Sequence, residues 1–282
     1  MVRLSGCALA SALASYKYMI MYGQVSCINQ VINAYFHVTF SEWCWLFIDG
    51  IWSITMAFSL PLARAATKLS SKRPTASLLG LHTLSSSCGI LAINFVFIIF
   101  GLLALFHQDW FQCRKWQSKD VSNVVSMGDN YESSVIFIIS GYQYISSAAA
   151  YNFGYSYRAN WVRNYIFVFL FLLWTGFQFG ATLSSSSFSC IWRLNSDNDH
   201  VVRSVTTEPS PIHNNFNTTV MPLGFRGVLV TLMIINLIVI CAWDYFVVNM
   251  SIHRSPKQIG MVQEGHQHAQ NEDDEYEPPT IL

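Results

Sequence analysis

The sequence predicts an all-α membrane protein, a bundle of six transmembrane helices, on three observations. Charged residues make up 11% of the 282 positions and hydrophobic ones 52%, whereas a soluble domain carries about a quarter charged residues. Six mostly apolar runs lie near 8–36, 43–60, 83–106, 134–153, 164–183 and 225–249, each close to the roughly 20 residues that cross a bilayer core. The runs lack the polar faces that the helices of a soluble bundle turn to water, which excludes that alternative. A formal net charge of zero provides no global field for nucleic acid, so none is expected as a partner.

The first run is the least apolar. Ala8–Ala14 is small rather than greasy, and Lys17 interrupts the run. No compact Leu-rich region is followed by a small-residue cleavage site, so the run does not read as a removable signal peptide. Tyr18, Tyr22, Ser26, Asn29 and Asn33 recur at steps of three and four and therefore share one helix flank. For Asn29 and Asn33 the stripe fits interhelical hydrogen bonding and the lining of a polar path equally well. Lys17 is expected to snorkel, with its stem in lipid and its ammonium at the cytosolic interface.

A short turn at 37–41 leads into the second run, where Glu42-Trp43-Cys44-Trp45-Leu46-Phe47-Ile48-Asp49 places acids at the entrance and inside a series of large hydrophobics. On a regular helix Glu42 and Asp49 lie nearly on one face, about 10 Å apart along the axis. Glu42 at the boundary can simply be solvated. Asp49 has no basic neighbour in sequence, and an isolated intramembrane carboxylate either protonates or meets a cation. Asp49 is therefore expected to face a cation.

The third run, Ile90–Phe106, and the fifth, Tyr165–Leu183, are too long and apolar for core strands. Placing the N-terminus in the cytosol puts Arg64, Lys68, Lys72, Arg73, Arg158, Arg163, Arg254 and Lys257 on the cytosolic side, a modest positive-inside bias. Both termini are then cytosolic, and Asn217-Thr218-Thr219, a glycosylation sequon, falls in a lumenal loop. Cys113 and Cys190 lie in two lumenal loops, where an oxidising compartment permits a disulfide between them. No cysteine has metal-ligand spacing, and no metal site is expected. The tail from residue 255 carries Glu272-Asp273-Asp274-Glu275 and is expected to be disordered. Its His266 and His268 read as solvated residues or, at most, weak metal ligands.

No phosphate-cradling Gly-rich loop, His-Glu-x-x-His helix or Gly-x-Ser-x-Gly elbow occurs. No soluble stretch is long enough for a nucleotide-binding domain, so any energised process must draw its energy from elsewhere.

SYKYMIMY at 15–22, LFIDG at 46–50, KRPTASLL at 72–79, HQDWF at 107–111, YESSVIFIISGYQYISSAAAY at 131–151 and GYSYR at 154–158 follow one another along the chain. In that order they resemble the C-terminal membrane region of type-V, subgroup-B P-type ATPases, the 13A-type polyamine and cation transporters of endolysosomal membranes. Asn236 and the acidic, Pro-containing tail fit as well. The resemblance implies the last six membrane helices of such a pump, in a late endosomal, lysosomal or other endomembrane. It makes Asp49 the sixth-helix carboxylate that faces the polyamine and Tyr22 a fifth-helix tyrosine of the same path. Glu42 stands where the family has aspartate, and Ser26 where it usually has glutamine.

The family's phosphorylated aspartate motif, its ATP-binding domain and its proline-rich fourth helix have no counterpart in these residues. The resemblance therefore implies a fragment, a partial gene model or a truncated isoform that binds no cofactor itself. ATP and Mg belong to the full-length family member. The implied partners are membrane lipid, a polyamine or other cation, and the remainder of the pump. A second reading is a truncated interaction protein that pairs with full-length pumps and regulates them. A self-sufficient channel or secondary transporter ranks last, because the chain shows no internal repeat.

Overall fold

A computed structural model describes residues 2–67, 79–111, 130–153, 157–184, 192, 194 and 221–246. Six long helices account for most of them: α1 Val2–Tyr35, α2 Glu42–Leu62, α3 Leu81–Phe106, α4 Tyr131–Tyr151, α5 Tyr165–Leu183 and α6 Leu223–Phe246. No strand occurs among the described residues. Two connections meet in a single antiparallel bridge, where the Ala159 N–H donates to the Arg64 carbonyl (2.7 Å) and the Ala66 N–H to the Tyr157 carbonyl (3.2 Å). Cys113, Cys190, Asn217 and the acidic tail lie outside the described residues.

Four of the six helices, α2, α3, α5 and α6, are long and apolar enough to cross a membrane by length and composition. Their outward faces expose large apolar side chains, among them Phe58, Phe100, Phe169, Leu172 and Ile238. That is a surface suited to lipid rather than water. The other two helices owe their polarity to position. α4 packs against α1, α3, α5 and α6, and all its residues but Glu132 are buried. A helix enclosed by helices needs no greasy exterior, and its Ser, Gly and Ala residues let neighbours approach closely. A Cβ on Gly141 would sit 2.7 Å from the Trp52 ring of α2, and one on Gly101 of α3 would collide with Ile139 of α4. α1 is 34 residues long, roughly 50 Å, and carries its polar stripe toward α4 and α2.

Buried polar groups tie the bundle together. Asn236 donates through Nδ2 to Asn94 Oδ1 (3.0 Å), Asn94 Nδ2 donates to Ser147 Oγ (3.1 Å), and Ser146 Oγ donates to Asn236 Oδ1 (3.1 Å). These bonds link α3, α4 and α6, and all four residues are fully buried. Lys17 departs from the snorkelling expectation. It is buried, donates from Nζ to Ser86 Oγ (3.1 Å) and lies 4.9 Å from the centroid of the Tyr151 ring. Ser86 in turn donates to Asp244 Oδ1 (2.7 Å). A buried ammonium is tolerated when a carboxylate and hydrogen bonds compensate it, and the α3 hydroxyl and α6 acid supply both.

Candidate functional site

α2 begins at Ser41, whose hydroxyl accepts from the Cys44 N–H (3.4 Å) and donates to the Trp192 carbonyl (2.8 Å). Glu42 occupies the first turn, where the helix dipole favours a negative charge. The helix then widens, and Leu46–Trp52 forms π turns, in which each bond spans five residues instead of four. The Ile48 carbonyl closes the segment by accepting from the Ser53 N–H and also from Ser53 Oγ (2.6 Å). Asp49 sits in the middle of this segment. The helical regularity behind the one-face expectation for Glu42 and Asp49 therefore does not hold between them.

The Tyr22 hydroxyl of α1 donates to Asp49 Oδ1 at 2.7 Å. One turn further along α1, Ser26 Oγ and the Tyr144 hydroxyl of α4 are hydrogen-bonded at 2.9 Å. The Tyr144 ring is tilted against that of Tyr22 with centroids 5.7 Å apart. Carboxylate, two phenols and a serine hydroxyl thus form one polar group where α1, α2 and α4 meet. Asp49 is exposed and Tyr22 partly so, while Tyr144 closes the inner side.

Not every residue of the sequence stripe joins this group. Tyr18 is fully buried one turn from Tyr22. Asn29 and Asn33 are also buried, and by hydrogen-bond geometry neither amide atom of Asn29 nor Oδ1 of Asn33 meets a partner among the described residues. Glu42 is exposed, and no hydrogen bond joins it to Tyr22 or Asp49 among the described residues.

Tyr144 was missed by sequence reasoning. It lies in a fourth run that also offers Tyr142 and Gln143, and spacing alone does not say which of them turns toward α1. The Lys17–Ser86–Asp244 link was missed as well, although its signal was present. Lys17 is the only charge of the first run and Asp244 the only acid of the sixth, and the low dielectric there favours their pairing.

The arrangement suits a cation. A phenol hydrogen bond fixes one carboxylate oxygen and leaves the other for an ammonium, with the partly exposed ring of Tyr22 beside it. No group of three or more His, Cys, Asp or Glu residues able to hold a metal occurs among the described residues. A separate cavity of about 310 Å³, lined by Ala66, Thr67, Arg158, Ala159, Asn160 and Arg163, contains none of the site residues.

No family model matches the chain. It is 25% identical over 186 residues, 60% of its length, to the human polyamine-transporting ATPase 13A3, and the match covers 15% of that protein. It is 26% identical over 189 residues, 64% of its length, to the human polyamine-transporting ATPase 13A2, again covering 15% of the relative. The yeast vacuolar cation-transporting ATPase YPK9 is 23% identical over 170 residues, 59% of this chain and 11% of that protein. The homologues are thus 13A-type polyamine-transporting P-type ATPases over about 60% of the chain, at 22–27% identity. The matched region is 15% or less of the length of each of these three relatives.

Proposed function

With kinship to polyamine-transporting ATPases as the premise, we propose that this chain supplies part of the membrane domain of an ATP-driven polyamine or cation transporter. The face shared by α1 and α2 lines the substrate path. Asp49 binds an ammonium group, Tyr22 orients the carboxylate, and Ser26 with Tyr144 forms the polar inner wall. The observation that carries this reading is the 2.7 Å bond from Tyr22 to Asp49, on an exposed face between two helices. A carboxylate there needs a cationic partner, and an extended polyamine brings ammonium groups separated by methylenes that suit the apolar surroundings.

The energy for transport enters through parts of the transporter outside these residues. Glu42, at the outer end of α2, offers a second negative charge at the mouth of the path. The working location is an endomembrane.

The test is Asp49→Asn in the complete transporter, read as spermine uptake and spermine-stimulated ATP hydrolysis. Both are expected to fall by more than ten-fold. Unchanged values for both would remove Asp49 from the mechanism.

A further inference from the structure

Asp49 lies in a segment that an ordinary helix does not form, and the contacts holding that segment reach elements other than α1. π turns are rare and occur mainly as short interruptions, frequently at functional sites. They persist where their surroundings over-determine them. Here two sets of contacts do so.

Ser53 caps the segment, its N–H and its hydroxyl both donating to the Ile48 carbonyl. Phe47, two residues before Asp49, points to the other side of α2. Its ring stacks on Phe177 of α5 with centroids 5.2 Å apart and planes 10° from parallel. Trp192 meets the same ring edge-on at 4.0 Å. α5 also holds the far flank, because the Trp174 indole N–H donates to Thr55 Oγ1 (3.1 Å) and Thr55 donates to the Ile51 carbonyl (2.6 Å).

Rewinding Leu46–Trp52 into an α-helix would change the angular position of Asp49 by up to about 100°, the turn of one helical residue. Tyr22 would then lose its partner. We infer that Phe47 and Ser53 are positioning residues for the Asp49 carboxylate, acting through the π segment without touching the cation. This inference rests on Asp49 as the cation ligand of the proposed transporter.

Two measurements on the full chain in lipid nanodiscs test it. In the first, the seven native cysteines are replaced, Tyr22→Cys and Asp49→Cys are introduced together, and a short bis-methanethiosulfonate joins them, each thiolate displacing one methanesulfinate. Phe47→Ala and Ser53→Ala are each expected to lower the cross-linking yield at least five-fold. Phe47→Tyr, which keeps the stacked ring, and Ser53→Thr, which keeps the hydroxyl, are expected to restore it. An unchanged yield in the alanine variants, or no recovery in the conservative ones, overturns the inference.

The second measurement is spermine affinity with the native residues at 22 and 49. Phe47→Ala is expected to weaken it about ten-fold with Asp49 present and not at all on an Asp49→Asn background. Equal weakening on both backgrounds overturns the inference. If the cross-linking yield falls as expected while Asp49→Asn leaves spermine affinity unchanged, the transport reading fails and the positioning geometry stands.

Discussion

At the residue scale, the site turns on a single phenol. Tyr22 contributes a hydrogen bond to a carboxylate, and such charge-assisted bonds have a net worth of about 1.5–3 kcal/mol. Tyr22→Phe keeps the ring that contacts Tyr144 and deletes only the donor to Asp49. Spermine affinity is expected to weaken roughly ten-fold, since about 1.4 kcal/mol corresponds to one decade. The lost bond is expected to lower the thermal unfolding midpoint by about 3–6 °C. A binding titration beside a thermal melt checks both. Sequence reasoning singled out Asp49, Tyr22 and Ser26 because polar residues stand out in an apolar run, and the structure brings Tyr22 to Asp49. It could not find Tyr144, whose role depends on the rotation of α4 about its axis. Ser26 shows the same limit from the other direction. Its polarity was evident, but its hydrogen bond to α4 was not.

At the scale of elements, a helix's place in the bundle decides how apolar its surface has to be. α4 is the axis of the bundle, with 20 of its 21 residues buried, yet it falls outside the four helices apolar enough to count as spans. Its small residues reveal its place once the neighbours are known. Gly101 on α3 faces Ile139, which a Cβ there would overlap. Gly101→Ala is expected to destabilise the protein by about 1–3 kcal/mol through overpacking. Adding Ile139→Val should recover part of the loss, and a denaturation midpoint measured on single and double variants checks the pair. The π segment of α2 was equally invisible, because every periodicity argument applied to the run assumed a regular 3.6-residue turn. That assumption correctly placed a helix there and failed only where Phe47, Ser53 and the rings of α5 impose another winding.

At the scale of the whole molecule, the apolar perimeter sets the protein apart from a soluble bundle, and composition alone announced this, while the core is apolar with polar groups set into it. What composition could not supply was the pairing of charges across the bundle. Lys17 of α1, Ser86 of α3 and Asp244 of α6 form one buried link, with Tyr151 of α4 against the ammonium. Removing one partner of a buried ionic link costs about 3–5 kcal/mol, while replacing both with apolar residues is often neutral. Asp244→Leu alone is therefore expected to lower stability by about that amount, and Lys17→Met with Asp244→Leu to restore most of it. The check is a double-mutant cycle on unfolding in detergent. The π segment has one last consequence, for the length of the chain. Wound as it is, Leu46–Trp52 stores about one residue more than an α-helix of the same rise, so α2 holds slack between two taut ends. Taking one residue out of that stretch would draw the slack in and leave Glu42–Trp45 and Ser53–Leu62 facing their present neighbours. Taking one out of any other part of α2 would turn everything beyond the cut by about a quarter of a circle.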